Sequence, residues 1–288
     1  MSAIDETALI FEGGGMRACA SAGVVVRLIE SGLSFPLACG ISAGGTHTFN
    51  YASRDKWRAE NSFTYFACDP NFGSWRTFAK GKGFFNTDYI YGSACEPDGA
   101  FRFDFEAFQA SPTDVRISAF CVDTALPVYW SKADMPDLNS ALLRAQASAT
   151  IPGFMPPVEV DGATYVDGAL GPSGGIALDA ARLAGYERFV VVMTRSRDYV
   201  KKPGRVGLYR RLFPKMPAVA EALAGRWRRY NHTREQLFEL EEQGKAFLYF
   251  PEKAELSNRE MDIEKLEECY RSSLEHAEKW VEDLQAWL

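Results

Sequence analysis

Histidine is almost missing from this chain of 288 residues: His47, His232 and His276 are all it has. Any mechanism built on an imidazole base has to use one of these three. Close cysteine pairs are also lacking. The six cysteines, at 19, 39, 68, 95, 121 and 269, contain no C-x-x-C spacing that would gather a metal, so free thiols and no metal site are expected. No apolar run approaches the roughly 20 residues that cross a bilayer. The polar, acidic start from Met1 to Thr7 does not read as a secretory leader, so a cytoplasmic protein is expected, at most peripheral on the inner face of the membrane. A net charge of −6 argues against nucleic acid as a partner. Internal repeats and low-complexity tracts are absent, and the oligomeric state is not legible.

What is present is enough apolar material, 47% of residues, for a substantial core, and the length suits one large domain. Ala8 to Phe11 reads as a first buried strand, followed by a Gly13-Gly14-Gly15-Met16-Arg17 loop and an apolar helix to about Glu30. A second apolar run, Phe35 to Cys39, leads into Gly40-Ile41-Ser42-Ala43-Gly44 and another helix. A βαβα opening implies a parallel sheet with helices on its faces. Further strands are expected at 115–122, 127–130, 189–193 and 245–250, with helices from Leu138 to Ala147 and from Asp262 to Leu288. The last helix carries an apolar stripe at 263, 266, 270, 274, 277, 281, 284 and 288, expected to dock on the sheet.

The Gly40–Gly44 pentapeptide fits a nucleophile elbow. Its glycines leave room for a strand-to-helix turn tight enough to push out the Ser42 hydroxyl. A serine attacks an ester only when a base takes its proton, and two Asp-Gly pairs compete for that role. Asp161-Gly162 sits between Val158–Val160 and Ala163–Val166, as a type I′ hairpin turn would. Asp167 stands instead at a strand end before a glycine-rich loop, where a carboxylate can face a cleft, and is the expected partner of Ser42.

The glycine loop, the elbow and Asp167-Gly168, in this order, resemble the patatin-like phospholipase family. The stretch Ala147-Ser148-Ala149-Thr150-Ile151-Pro152 also looks like the one preceding that family's aspartate. The resemblance covers about residues 7–194. It implies an α/β/α sandwich of three layers with a mostly parallel sheet, and a cofactor-free lipid acyl-ester hydrolase of phospholipase A or lysophospholipase type. It further implies a Ser42-Asp167 dyad and an oxyanion hole built from Gly13, Gly14, Gly15, Met16 and Arg17, with Arg17 helping to fix the loop's shape. Ala18 departs from the family, which usually has glycine there. The alternative from another class is a binding or regulatory module that keeps the fold.

Other readings fare less well. The glycine loop satisfies a dinucleotide fingerprint, but no acidic residue ends the second strand to bind a ribose. A Ser-His-Asp triad would need His47, which a helix turns about 140° from the serine, or one of two histidines without a catalytic setting.

The expected organisation is one hydrolase domain with a core at 1–194, a basic segment at 195–244 and a terminal strand and helix at 245–288. Arg195 to Arg234 holds 12 lysines and arginines against Asp198 and Glu221, with Trp227 and Tyr230 interleaved. That composition suits contact with an anionic membrane, and equally a solvated basic face. Residues 57–108 hold 15 of the chain's 38 aromatics, either as core or as an acyl-chain groove.

Overall fold

The structure, a computed structural model, describes residues 2–252 and 256–288. Met1, at the head of the polar start, and 253–255, inside the terminal 245–288 unit, lie outside the described residues. The chain opens with β1 (Thr7–Phe11), α1 (Cys19–Glu30), β2 (Leu37–Ile41) and α2 (Ala43–Ala52). Short helices α3 (Lys56–Asn61), α4 (Trp75–Ala79) and α5 (Phe105–Ala110) carry the aromatic region. Then come β3 (Asp114–Cys121), β4 (Pro127–Trp130), α6 (Leu138–Ala149), β5 (Val158–Val160), β6 (Ala163–Asp167), α7 (Leu178–Leu183) and β7 (Arg188–Val192). The chain closes with α8 (Val206–Leu212), α9 (Pro217–Glu242), β8 (Ala246–Tyr249) and α10 (Ile263–Trp287).

One sheet runs β5-β6-β3-β2-β1-β7-β8, with β4 also on β3. The strands from β3 to β8 along this path are parallel, and β4, β5 and β6 are antiparallel additions. The parallel strands are apolar on both faces because both faces are covered. Leu9 and Phe11 of β1 pack with α1 and α10, whereas Ala8 and Ile10 pack with α7 and α9. Alternating side chains of one strand thus feed two helical layers, giving the three-layer α/β/α architecture the sequence implies.

The Asp161-Gly162 turn has φ of 50° and 79°, the pair of positive values a type I′ turn requires, and Asp161 pairs with Arg144 at 2.6 Å. The stripe on α10 packs as expected on the sheet, with Tyr270, Ala277, Val281 and Leu284 in one cluster with Leu9, Phe11, Val190 and Val192, and it also runs along α1. Gly23 allows the second contact: a Cβ there would lie 2.3 Å from the Leu274 backbone nitrogen, so the two helices meet nearly backbone to backbone. At the sheet edge, Trp280 Nε1 donates to the Leu248 carbonyl at 3.2 Å and Ser273 Oγ accepts from the Tyr249 hydroxyl at 3.4 Å.

Among the described residues no two cysteines are joined by a disulfide. Among the described residues no helix is long and apolar enough to cross a membrane.

Candidate active site

Ser42 joins β2 to α2 with φ 57° and ψ −128°, a backbone conformation rare for any residue with a Cβ. The flanking glycines make the turn possible. A Cβ on Gly40 would meet the Gly44 carbonyl oxygen at 2.3 Å, and one on Gly44 would meet the Phe11 carbonyl oxygen at 2.2 Å. Strain at Ser42 and crowding at Gly40 and Gly44 are what an elbow needs in order to present one hydroxyl.

Asp167 ends β6 and is buried. Its carboxylate accepts from the Ala169 N–H at 2.8 Å and lines the same polar cavity as Ser42. Burial raises its pKa above the ordinary carboxylate value, opposed in part by the Arg226 charge, the Ala169 N–H and the neighbouring Ser42 side chain. Strand register explains the meeting of serine and aspartate. On β3, Ile41 lies opposite Ser118 and Asp167 lies opposite Ala119, so the ends of β2 and β6 arrive at consecutive residues of one strand.

Two residues without a role in the motif reading strap the pair together. Ser148 Oγ accepts from the Ser42 N–H at 2.9 Å and donates to the Ser118 carbonyl at 2.7 Å. The Thr150 carbonyl accepts from the Asp167 N–H at 2.8 Å. Both belong to the Ala147–Pro152 stretch that stood out in the sequence without any indication of which atoms it supplies.

The glycine loop lies across the site, and its N–H groups are not equivalent. Gly13 N–H donates to the Gly175 carbonyl at 3.0 Å and Met16 N–H to the Asn258 carbonyl at 3.1 Å. Among the described residues, no acceptor takes the N–H of Gly14 or Gly15. Arg17 lines the same cavity, and its Nε is buried without a partner. Burial and the neighbouring Arg195 push its pKa down to about 10, while Glu12 opposes the shift. Its side chain makes no hydrogen bond to the loop among the described residues; the loop is tied by the Gly13 and Met16 N–H groups and by the Thr194 hydroxyl, which donates to the Gly13 carbonyl at 3.4 Å.

Ser42 sits where two cavities meet. One is walled by Phe63, Phe66, Phe72, Phe85, Phe101 and Ile90, among others. The other is more polar and holds Asp167, Gly13–Gly15, Arg17, Leu223 and Arg226. The aromatic region therefore divides. Phe66, stacked on Phe101 at 4.1 Å, faces the first cavity, whereas Phe103 and Phe108 pack with Phe49 in the core.

No histidine lines either cavity. His47 Nε2 bonds the Ala18 carbonyl at 2.8 Å, its edge meets Phe63, and burial pushes its pKa down to about 4. It pins α2 to the end of the glycine loop as a neutral ring. His232 is exposed beside Glu235 and Gln236, and His276 lies against the Tyr249 ring.

The cations of 195–234 do not form one surface. Arg226 Nε donates to the Gly174 carbonyl at 2.9 Å, and Arg229 donates to the carbonyls of Gly171 at 3.0 Å and Leu170 at 3.1 Å. Arg234 caps the Ser196 and Arg197 carbonyls. The glycine-rich turn after Asp167 lies off the sheet, and arginines from α9 satisfy carbonyls that no strand reaches.

A parallel-rich α/β/α sandwich with a strained Ser42 beside a buried Asp167 in one cavity defines a class of serine-centred α/β proteins. The model of the patatin-like phospholipase family matches residues 9–177, and the chain belongs to that family, whose members are lipid acyl hydrolases. A domain of unknown function, DUF6363, matches residues 216–288, the part that supplies Leu223, Arg226 and Asn258 to the polar cavity. Among solved structures, VipD from Legionella pneumophila is similar at a TM-score of 0.45 and 10% identity, covering 96% of this chain and 67% of that one. No curated protein matches the chain significantly.

Proposed function

We propose that the protein hydrolyses acyl esters of phospholipids or lysophospholipids through an acyl-Ser42 intermediate, with Asp167 as the base and no histidine. The observation that carries this is that Ser42 and the buried carboxylate of Asp167 line one polar cavity, with Ser42 also opening onto an apolar one. Ser42 Oγ adds to the ester carbonyl as its proton passes to Asp167, and that proton leaves with the alcohol. Water, deprotonated by Asp167, then attacks the acyl-serine, releasing the fatty acid and restoring Ser42 Oγ–H. The N–H groups of Gly14 and Gly15, which have no acceptor among the described residues, are the donors for the tetrahedral oxyanion, each worth about 10²–10³ in rate.

The core, the basic segment and the terminal strand and helix act as one domain in this reading, since β8 extends the same sheet and Asn258 touches the glycine loop. A fluorophosphonate probe should label the wild-type protein at one serine, with protection by long-chain lysophospholipid. No labelling of folded protein would sink the hydrolase reading.

The apolar cavity is assigned to the acyl chain. Ile90→Trp, which fills part of it, should shift the preference among p-nitrophenyl esters toward short chains, lowering the ratio of long-chain to short-chain kcat/KM about 10-fold. An unchanged ratio would place the chain elsewhere.

The exposed part of the basic segment is assigned to an anionic membrane surface. On and around α8, Val200 and Leu212 are 68% and 59% exposed, next to exposed Lys202, Arg205, Arg211 and Lys215. Phe213 holds this helix against Gly153, beside the Pro152 that lines the polar cavity. Apolar side chains ringed by cations at a site mouth suit a negatively charged interface. Arg205→Glu, Arg211→Glu and Arg228→Glu together should lower co-sedimentation with anionic vesicles several-fold, and salt should do the same to the wild type. Binding that ignores both changes would leave the segment a solvated face.

A further inference from the structure

A third cleft adjoins the polar cavity and shares Leu223 and Arg226 with it. Tyr199, Lys201, Lys202 and Trp227 form much of its remaining wall. These residues follow β7 or lie on α9, outside the 9–177 span matched by the family.

The charge there is unbalanced. Lys201 interacts electrostatically with Arg226, Arg17 and Arg195, and with a single carboxylate, Glu12. That carboxylate is already engaged, accepting from the Tyr230 hydroxyl at 2.6 Å and the Thr194 N–H at 2.6 Å. Among the described residues, none of the four cations forms an ion pair.

The cluster is also rigid. The Lys201 backbone is clamped to Asn231 from both sides, N–H to Oδ1 at 2.9 Å and carbonyl to Nδ2 at 3.0 Å. Its ammonium lies 4.8 Å from the Tyr230 ring centroid, and the Arg195 guanidinium lies 4.4 Å from that of Tyr199. Like charges held together at a half-buried cleft cost free energy that a bound anion relieves, and fixed donors bind it without an ordering penalty.

We propose that this cleft is the headgroup subsite, in which Lys201 and Arg226 hold the phosphate of a glycerophospholipid or lysophospholipid whose ester lies at Ser42. The proposal rests on the hydrolase reading above. Arg226 faces both spaces, so a phosphate bound to it stands a few bonds from the scissile ester. Burial and the neighbouring cations push the Lys201 pKa down to about 7. A phosphate beside it reverses the second of these causes.

The test uses Ser42→Ala protein, so that binding is read without turnover. Calorimetry would compare a monoacyl glycerophosphate, below its micelle concentration, with the monoacylglycerol of the same chain. The phosphate lipid should bind more tightly. Adding Lys201→Met should reduce the ratio of the two affinities at least about 10-fold, the loss of one charge-assisted contact, and Lys201→Arg should keep most of it. Arg226→Gln gives an independent second variant with the same expected loss.

An unchanged ratio in both variants overturns the proposal. So does a cleft that binds inorganic phosphate and loses it in Lys201→Met while the lipid ratio does not move, because the ligand is then free phosphate. Turnover that survives Ser42→Ala would instead overturn the hydrolase reading and leave these affinities standing.

Discussion

Ser42→Ala will abolish both fluorophosphonate labelling and hydrolysis of a short-chain p-nitrophenyl ester, while shifting the thermal midpoint little. The hydroxyl is the proposed site of the covalent bond, so rate should fall to that of the uncatalysed ester. Stability should hold because alanine keeps the Cβ and therefore the same unfavourable backbone at φ 57°. Ser42→Gly separates the two effects further. It should be equally inactive, yet more stable by about 1 kcal/mol, since glycine adopts positive φ freely. Undiminished hydrolysis in either variant would remove Ser42 from the mechanism.

Asp167→Asn should lower hydrolysis by ~10²–10⁴, the usual contribution of a general base, with the fold intact. Asparagine keeps the shape and can still accept from the Ala169 N–H, but it cannot take the serine proton. The variant should also be more stable than wild type at neutral pH. Burial raises the folded-state pKa of Asp167, so its ionised form favours the unfolded chain. Relative stability is therefore full below the ordinary carboxylate value and lost as pH rises through the raised one. The gap between Asp167→Asn and wild type should be widest above the raised value and close as pH falls. In the wild type, the acid limb of kcat/KM should lie above the usual carboxylate range for the same reason. Urea or thermal unfolding of both proteins at several pH values checks the first point, and a pH–rate profile the second.

His47→Gln, His232→Gln and His276→Gln should keep most of the wild-type rate, since none of these rings lines the cavities at Ser42. A histidine variant as inactive as Ser42→Ala, yet folded, would replace the dyad with a triad.

Much of this was legible in the residues because the signals are local. A strand-to-helix turn around one serine must have small neighbours, and Gly40 and Gly44 are those neighbours. Asp161-Gly162 reads as a hairpin because two consecutive positive φ values suit few residue pairs. Apolar runs such as Phe189–Met193 read as strands buried on both faces because no polar residue interrupts them. What stayed hidden depends on partners far along the chain. The twelve cations of 195–234 look like one basic face, yet Arg226 and Arg229 turn inward to the carbonyls of the loop after Asp167. The α10 stripe reads as a sheet-docking face and is one, yet nothing along the chain shows that it also lies on α1, where Gly23 lets the backbones approach. Which rings face Ser42 and which fill the core depends on the path of 57–108, and aromatic content is the same in either case.

By itself the sequence determined the elbow, the glycine loop, the hairpin and the alternation of strands and helices, since each follows from the steric needs of a few adjacent residues. Only the tertiary structure decided that Ser42 and Asp167 meet, because the register of β3 sets Ile41 and Asp167 against consecutive residues and Ser148 and Thr150 hold them there. It also decided that Lys201 and Arg226 share a cleft beside them, which no spacing along the chain encodes.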